Sequence, residues 1–228
     1  MSNKKKEKFG GTISFKERIG KVEESLGLLF DKVKAMLDSA IHVLSKDDEP
    51  KFEELSKEID SVHDLTDTLE DHIINAVTLH QPFGRNIRYL IAGLKISNEV
   101  HRCGHDAIHI AETSKFFDYS MECYMEVIEK VKKLAIMAED MFVKAVDSYF
   151  NGSDVNLKEW HHMDDEVDDL HDEIIEEIKE AMGNNCANVP AGISLILATR
   201  YIERIADHAC NIVEENCYVM SGERAKIE

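Results

Sequence analysis

Glu203-Arg204-Ile205-Ala206-Asp207-His208-Ala209 repeats, 102 residues later, the pattern of His101-Arg102-Cys103-Gly104-His105-Asp106-Ala107 in a chain of 228 residues. Around the later copy, Leu195, Ala198, Ile202, Ile205, Ala209 and Ile212 recur at three- and four-residue steps, the apolar stripe of a helix held along one side by neighbours. A second echo pairs Ile59-Asp60-Ser61-Val62-His63-Asp64 with Val167-Asp168-Asp169-Leu170-His171-Asp172 at an offset of 108. Two echoes in the same order imply a duplicated unit. The unequal offsets place a length difference in the helix ends and loop between them.

Working outward, the same periodicity predicts six helices. The first covers about Ser14 to Ser45 and ends near Asp47-Asp48-Glu49-Pro50, and the second continues to about Leu79. Gln81-Pro82-Phe83-Gly84 breaks the chain before a third helix, about Asn86 to Ser114. The fourth is expected from about Asp118 to Phe150, closed by Asn151-Gly152-Ser153, and the fifth from about Val155 to Met182. Gly183 to Pro190 is expected as a loop, followed by a sixth helix to about Met220. Helices this long suit antiparallel bundles. The expected fold is therefore all-α: two tandem three-helix bundles at 14–115 and 116–222, flanked by a flexible tail at 1–13 and another at 223–228.

Composition narrows the function. With 45 acidic against 27 basic side chains the formal charge is -18, which repels a nucleic-acid backbone. The short basic run Lys4 to Lys8 reads as a solvated tail. Cys103, Cys123, Cys186, Cys210 and Cys217 are odd in number and lack C-x-x-C spacing, so they read as free thiols in a reducing compartment. No apolar run approaches the roughly 20 residues that span a bilayer, and no signal-peptide core is visible, so a cytoplasmic location is expected. Nor is there a glycine-rich phosphate loop or a spaced nucleophile and base, so no enzyme chemistry is expected.

Like charges four apart on a helix cost roughly 0.2 to 0.5 kcal/mol per pair unless a cation offsets them. Asp164 with Asp168, and Glu203 with Asp207, are such pairs on the fifth and sixth helices. If their faces meet, four carboxylates converge on one place, a ligand set for iron, manganese, magnesium or calcium. In the first half His101 and His105 hold the places of Glu203 and Asp207, a change toward zinc or mixed-ligand iron. On the second helix either Asp60, by the internal alignment, or His63 faces them.

Gln81-Pro82-Phe83-Gly84-Arg85-Asn86-Ile87-Arg88, with Ala92 to Glu99 beyond it, resembles the Q-P-x-x-x-x-L-R and A-L-K-I-S signature of PhoU proteins. Arg200 to Glu215 is similar to the R-x-L-E-R-I-A-D-H-A-x-N-I-x-E-E segment of the same family. The resemblance covers essentially the whole chain and implies two three-helix bundles, with E(D)-x-x-x-D motifs that bind iron or zinc, in some members as multinuclear clusters. Carried over by position, Asp164, Asp168, Glu203 and Asp207 match those motifs, while the first repeat departs from them.

It further implies a metal-binding adaptor that couples a phosphate ABC transporter to a sensor histidine kinase and represses phosphate-starvation genes. An accessory role beside a sodium-phosphate cotransporter is the alternative within the family. The protein is expected to form a homodimer and to reach the membrane only through partners. A different alternative is a ferritin-like di-iron protein, suggested by the D-x-x-H steps Asp60 to His63 and Asp168 to His171.

Overall fold

A computed structural model of the protein describes residues 10–44, 52–117, 121–153 and 155–227. Within them lie six α-helices: α1 (Ile13–Val43), α2 (Phe52–His80), α3 (Arg85–Ser114), α4 (Met125–Asn151), α5 (Leu157–Asn184) and α6 (Val189–Ser221). The expected ends at Ser45, Asp47 to Pro50 and Asp118, and the Lys4 to Lys8 run, fall outside the described residues.

Local chemistry sets the boundaries. Thr12 caps α1 by accepting the Phe15 N–H at 3.2 Å. Pro82 disfavours the helical region for the residue before it, and Gln81 leaves α2 with φ 43°. After α4, Gly152 adopts φ 58° while the Ser153 N–H donates to the Ser148 carbonyl at 3.1 Å and the Gly152 N–H to Tyr149 at 3.2 Å, a Schellman closure.

Two boundaries differ from expectation. α4 starts at Met125, after a 3-10 turn at Glu122–Tyr124 that is pinned where the Tyr124 hydroxyl donates to the Asn188 carbonyl at 2.9 Å. The loop foreseen from Gly183 to Pro190 is mostly helical. Asn188 donates its side-chain amide to the Ala181 carbonyl at 2.8 Å near the end of α5, and Pro190 sits in the first turn of α6, where its missing N–H costs nothing.

α1, α2 and α3 pack as one three-helix unit and α4, α5 and α6 as a second, joined along α3 and α6 and more lightly along α1 and α4. One continuous apolar core runs through both. Burial fixes the internal register. Leu29, Leu37, Val62, Leu69 and Ile73 match the equally buried Leu134, Phe142, Val167, Ile174 and Ile178, all 105 residues on. In α3 and α6, Val100, Cys103, Ala107 and Ile110 match Ile202, Ile205, Ala209 and Ile212, 102 residues on.

The second-helix offset of 108 is thus corrected by one turn. At 108, buried Leu69 would stand opposite Glu177, whose carboxylate pairs with Lys130. In the structural register His63 takes the place of Asp168, and Asp60 that of Asp165. Residues 223–227, expected to trail away, fold back instead: Ile227 is buried, and its N–H donates to Glu214 Oε1 at 2.8 Å.

Between the units, α3 and α6 run antiparallel, as cross-helix pairs show: Lys95 with Glu215 at 2.6 Å, and His109 stacked on Tyr201 with ring centroids 4.7 Å apart. Tyr89 of α3 also stacks on Tyr149 of α4, centroids 4.5 Å apart, and the Tyr149 hydroxyl donates to the Tyr89 carbonyl at 2.7 Å. Gly93 makes room for that hydroxyl, since a Cβ there would come within 2.8 Å of it.

Candidate metal centres

In the first unit the four-residue step from His101 to His105 puts both rings on the face of α3 that meets α2, and α2 supplies His63. One nitrogen from each ring lies within 4.8 Å of the others. Ring centroids are 4.5 Å apart for His63 and His101, 5.8 Å for His63 and His105, and 4.8 Å for His101 and His105. His63 is exposed and the other two are half-buried. Nε2 of His101 is buried with no hydrogen-bond partner among the described residues.

Burial, followed by the neighbouring His105 and His63 rings and Arg102, pushes the His101 imidazole down to about 4, with Asp67 pulling the other way. His105 is lowered by burial and by His63 and His109, against Asp106. At neutral pH these two rings are therefore uncharged, with lone pairs available to a cation. Asp60, exposed one turn before His63, stands outside the group. His109, one turn past His105, is drawn instead to Tyr201.

In the second unit α5 presents Asp164 and Asp168 and α6 presents Glu203 and Asp207, and the four sense one another. Burial raises Asp164, and the Asp207 charge adds to it against a hydrogen bond from Cys210. Asp168 is raised by burial and by Asp164 and Asp207, and Glu203 by burial and Asp207. The faces meet as expected, but among the described residues only the three histidines gather as tightly as 4.8 Å. Mutual repulsion and local partners account for the looser carboxylate set. Glu203 Oε1 accepts from Arg200 Nη1 at 3.2 Å, and Asp164 Oδ1 from Cys210 Sγ at 3.3 Å.

Three further residues, His171, Cys210 and Asp67, stand at these centres without having been assigned to them from the sequence. His171 leaves Nε2 buried without a hydrogen-bond partner among the described residues, and its charge acts on both Glu203 and Asp168. The Asp168 to His171 step was visible, whereas its approach to α6 was not. Cys210 lies three residues past Asp207 on the same face. Asp67 lies four past His63, on the face that acts on His101.

The donor sets fit metal ions. Neutral imidazoles, an orphaned ring nitrogen and carboxylates with raised pKa are groups whose environment favours a cation. The ferritin-like arrangement is not formed among the described residues: its two D-x-x-H steps lie on α2 and α5, which belong to different units and make no packing contact there.

Between the two centres lies a buried polar contact. His208 Nδ1 is 2.7 Å from Glu99 Oε2, and its Nε2 is 3.4 Å from Asp106 Oδ2. Arg204 Nη2 approaches the other Asp106 oxygen at 3.5 Å. Burial works against a charged His208, but the close Asp106 carboxylate and the hydrogen bond with Glu99 raise its pKa overall.

The chain is similar to known proteins along most of its length. The PhoU domain profile matches twice, over residues 26–114 and 131–215. Among curated relatives, a phosphate-specific transport system accessory protein PhoU homolog 1 of Methanothermobacter thermautotrophicus is 24% identical, over 93% of this chain and 96% of its own. A crystal structure of PhoU from Pseudomonas aeruginosa superposes with a TM-score of 0.75 at 20% identity, covering 92% of this chain and 100% of that one. The phosphate transport system regulatory protein PhoU from Streptococcus pneumoniae gives 0.74 at 18% identity, over 93% and 99%. At these identities the solved structures bear on the fold alone. The two profile matches start 105 residues apart, the spacing that burial gives for α1 with α4 and α2 with α5.

Proposed function

Since the chain belongs to the PhoU family, we propose that it is a non-enzymatic regulatory accessory protein of phosphate uptake, holding metal in its bundles and acting by contact with partners. The observation that carries this reading is the double match of the PhoU domain, with relatives along the full chain named as accessory to phosphate-specific transport. In this reading the protein works in the cytoplasm as a homodimer, docking on the transporter and on a sensor histidine kinase to repress phosphate-starvation genes. Its excess of acidic side chains favours docking on basic faces of such partners. Among the described residues no helix is long and apolar enough to cross a membrane, so membrane association would run through partners.

The metal part of the proposal assigns roles to this chain's own side chains. Asp164, Asp168, Glu203 and Asp207 would hold iron or another oxygen-preferring ion between α5 and α6, with His171 at the edge supplying a nitrogen. Such an ion supplies positive charge that relieves the carboxylate repulsion and ties the two helices together. In the first unit His63, with His101 and His105, takes the same position.

Co-purification from the native host, together with deletion of the gene, tests the function. Recovery of transporter subunits or the kinase, and starvation genes expressed in abundant phosphate after deletion, are the expected results. Recovery of a sodium-phosphate cotransporter alone would shift the proposal to that partner. An unchanged phosphate response would overturn it.

A further inference from the structure

Exposed apolar side chains gather at one end of the first unit, where α1 begins and α2 gives way to α3. Ile13 is 80% exposed, Leu79 61% and Phe83 88%. Their segments lie together: the Phe15 and His80 rings meet edge-on with centroids 5.5 Å apart, and Asn86 Nδ2 donates to the Gly10 carbonyl at 3.0 Å. Large apolar groups left in water side by side mark a contact surface. The hollow among them, lined by Gly11, Thr12, Phe15 and Pro82, measures only about 150 Å³, too small to seat a partner's helix.

The charge of this end opposes that of the rest. No Asp or Glu occurs from His72 to Asn98, although 45 of the 228 residues are acidic. Helix N-termini attract acids, yet the first turns of α1 and α3 hold none, and Arg85 and Arg88 occupy that of α3. Residues 1–21 carry seven basic side chains against Glu7 and Glu17, in a chain of net charge -18. Four of the seven, Lys4, Lys5, Lys6 and Lys8, fall outside the described residues, but a single residue separates Lys8 from Gly10, so the run is tethered to this end.

Apolar tips beside positive charge are complementary to an anionic lipid surface. Lipid headgroups mould around a projecting side chain, whereas a protein partner would have to offer a matching hollow. Interfacial binding adds buried apolar area to the attraction of anionic lipid, about fivefold in affinity for each Lys or Arg near the surface. The acidic remainder of the protein is repelled by the same surface, which orients this end toward it.

We propose that this end of the first unit binds directly to an anionic lipid surface, with Phe83 entering the headgroup layer beside Ile13 and Leu79 and the neighbouring basic side chains held against the lipid charge. The proposal goes beyond the regulatory reading above. It adds a contact of the protein's own to the membrane association that partners would supply, and it does not depend on phosphate signalling or on metal.

The test mixes full-length protein with protein-free vesicles, of phosphatidylcholine alone or with phosphatidylglycerol added, and reads the bound fraction by sedimentation. Binding to the mixed vesicles, little to the neutral ones, and release at high salt are the expected results. Phe83→Ser, at a position exposed enough to spare the fold, should weaken binding by about tenfold or more. Lys5→Gln with Lys6→Gln should weaken it by about tenfold or more through charge. Phe83→Trp should keep binding and have its fluorescence quenched by brominated lipid. Absence of binding, equal binding to both kinds of vesicle, or undiminished binding in Phe83→Ser would overturn the proposal. A change of Phe83→Ser from dimer to monomer in light scattering, with vesicle binding intact, would give the surface to a second copy of the chain instead. The vesicles hold neither transporter nor kinase, so this result and co-purification with transport partners fail separately.

Discussion

Asp106 of α3 and His208 of α6 meet 3.4 Å apart inside the joint between the two units, and each directly follows a candidate ligand, His105 or Asp207, that lies on an adjoining face of the same helix. Adjacent helical residues point about 100° apart, so one short segment of each helix serves both a bundle centre and the joint. Removing one partner leaves the other buried with its closest opposite charge on that side gone: His208 keeps Glu99, and Asp106 keeps Arg204 at 3.5 Å. His208→Ala or Asp106→Ala is expected to destabilise the protein by about 3 kcal/mol, within the range for breaking buried ion pairs. Chemical denaturation of the metal-free protein measures it.

The same pair gives a pH dependence with a definite sign. The folded-state pKa of His208 is raised above that of an unfolded imidazole, ~6.5, so its contribution is fully present below that pH and is lost as pH rises through the raised value. Glu99 behaves oppositely. Burial opposes its charge, yet the hydrogen bond from His208 and the nearby Arg102 lower its pKa, so its contribution is lost on acidification below the ordinary carboxylate range. Melting temperatures of metal-free wild type should therefore fall on the alkaline side, and His208→Gln should flatten that limb. An alkaline limb unchanged in the variant would contradict the assignment.

The carboxylate centre makes a prediction that runs against the usual effect of mutation. Asp168 is raised by burial and by Asp164 and Asp207, and Glu203 by burial and by Asp207 and Asp168, so in metal-free protein at neutral pH they oppose folding. Asp168→Asn should stabilise the metal-free protein, on the order of 0.5 kcal/mol for each like-charge contact removed. Added iron(II) or manganese(II) should stabilise wild type by about 2.7 kcal/mol at a hundredfold excess over Kd, and the variant by less. Calorimetry with and without metal distinguishes these outcomes.

At the contact of α3 with α4, Gly93→Ala puts a Cβ 2.8 Å from the Tyr149 hydroxyl. Overpacking of this kind costs about 1 to 3 kcal/mol. Tyr149→Phe loses the bond to the Tyr89 carbonyl, worth about 1 kcal/mol, but it also removes the obstructing atom. The double variant should therefore be more stable than the two single losses summed, which a double-mutant cycle by urea denaturation would show.

Much of this was written in local sequence. The stripe from Leu195 to Ile212 gave α6, Gly152 and Pro82 gave real boundaries, and the step from His101 to His105 placed two rings correctly on one face. What stayed hidden depends on contacts between helices. α5 is so dense in acids that the match of Val62-His63-Asp64 to Leu170-His171-Asp172 outweighed the correct register. Only burial, with Leu69 against Ile174 and not Glu177, separates the two. For the same reason sequence alone left Asp60 and His63 undecided. The delayed start of α4 follows from the Tyr124 hydroxyl reaching Asn188, 64 residues away, a bond that no local pattern encodes.

Positions 102 residues apart have diverged across the joint: Glu99 and Tyr201, Asp106 and His208, His109 and Asn211. Because the helices cross antiparallel, Glu99 meets Asn211 while Tyr201 meets His109, two contacts that the ancestral duplication would have made identical. Pairing two second halves through this face would set Arg204 against His208, with neither Glu99 nor Asp106 present to answer them. The charged groups along the seam are therefore complementary between unlike halves and would not be so between two second halves. A fragment carrying the second half alone should recruit a separately expressed first half in preference to self-assembly.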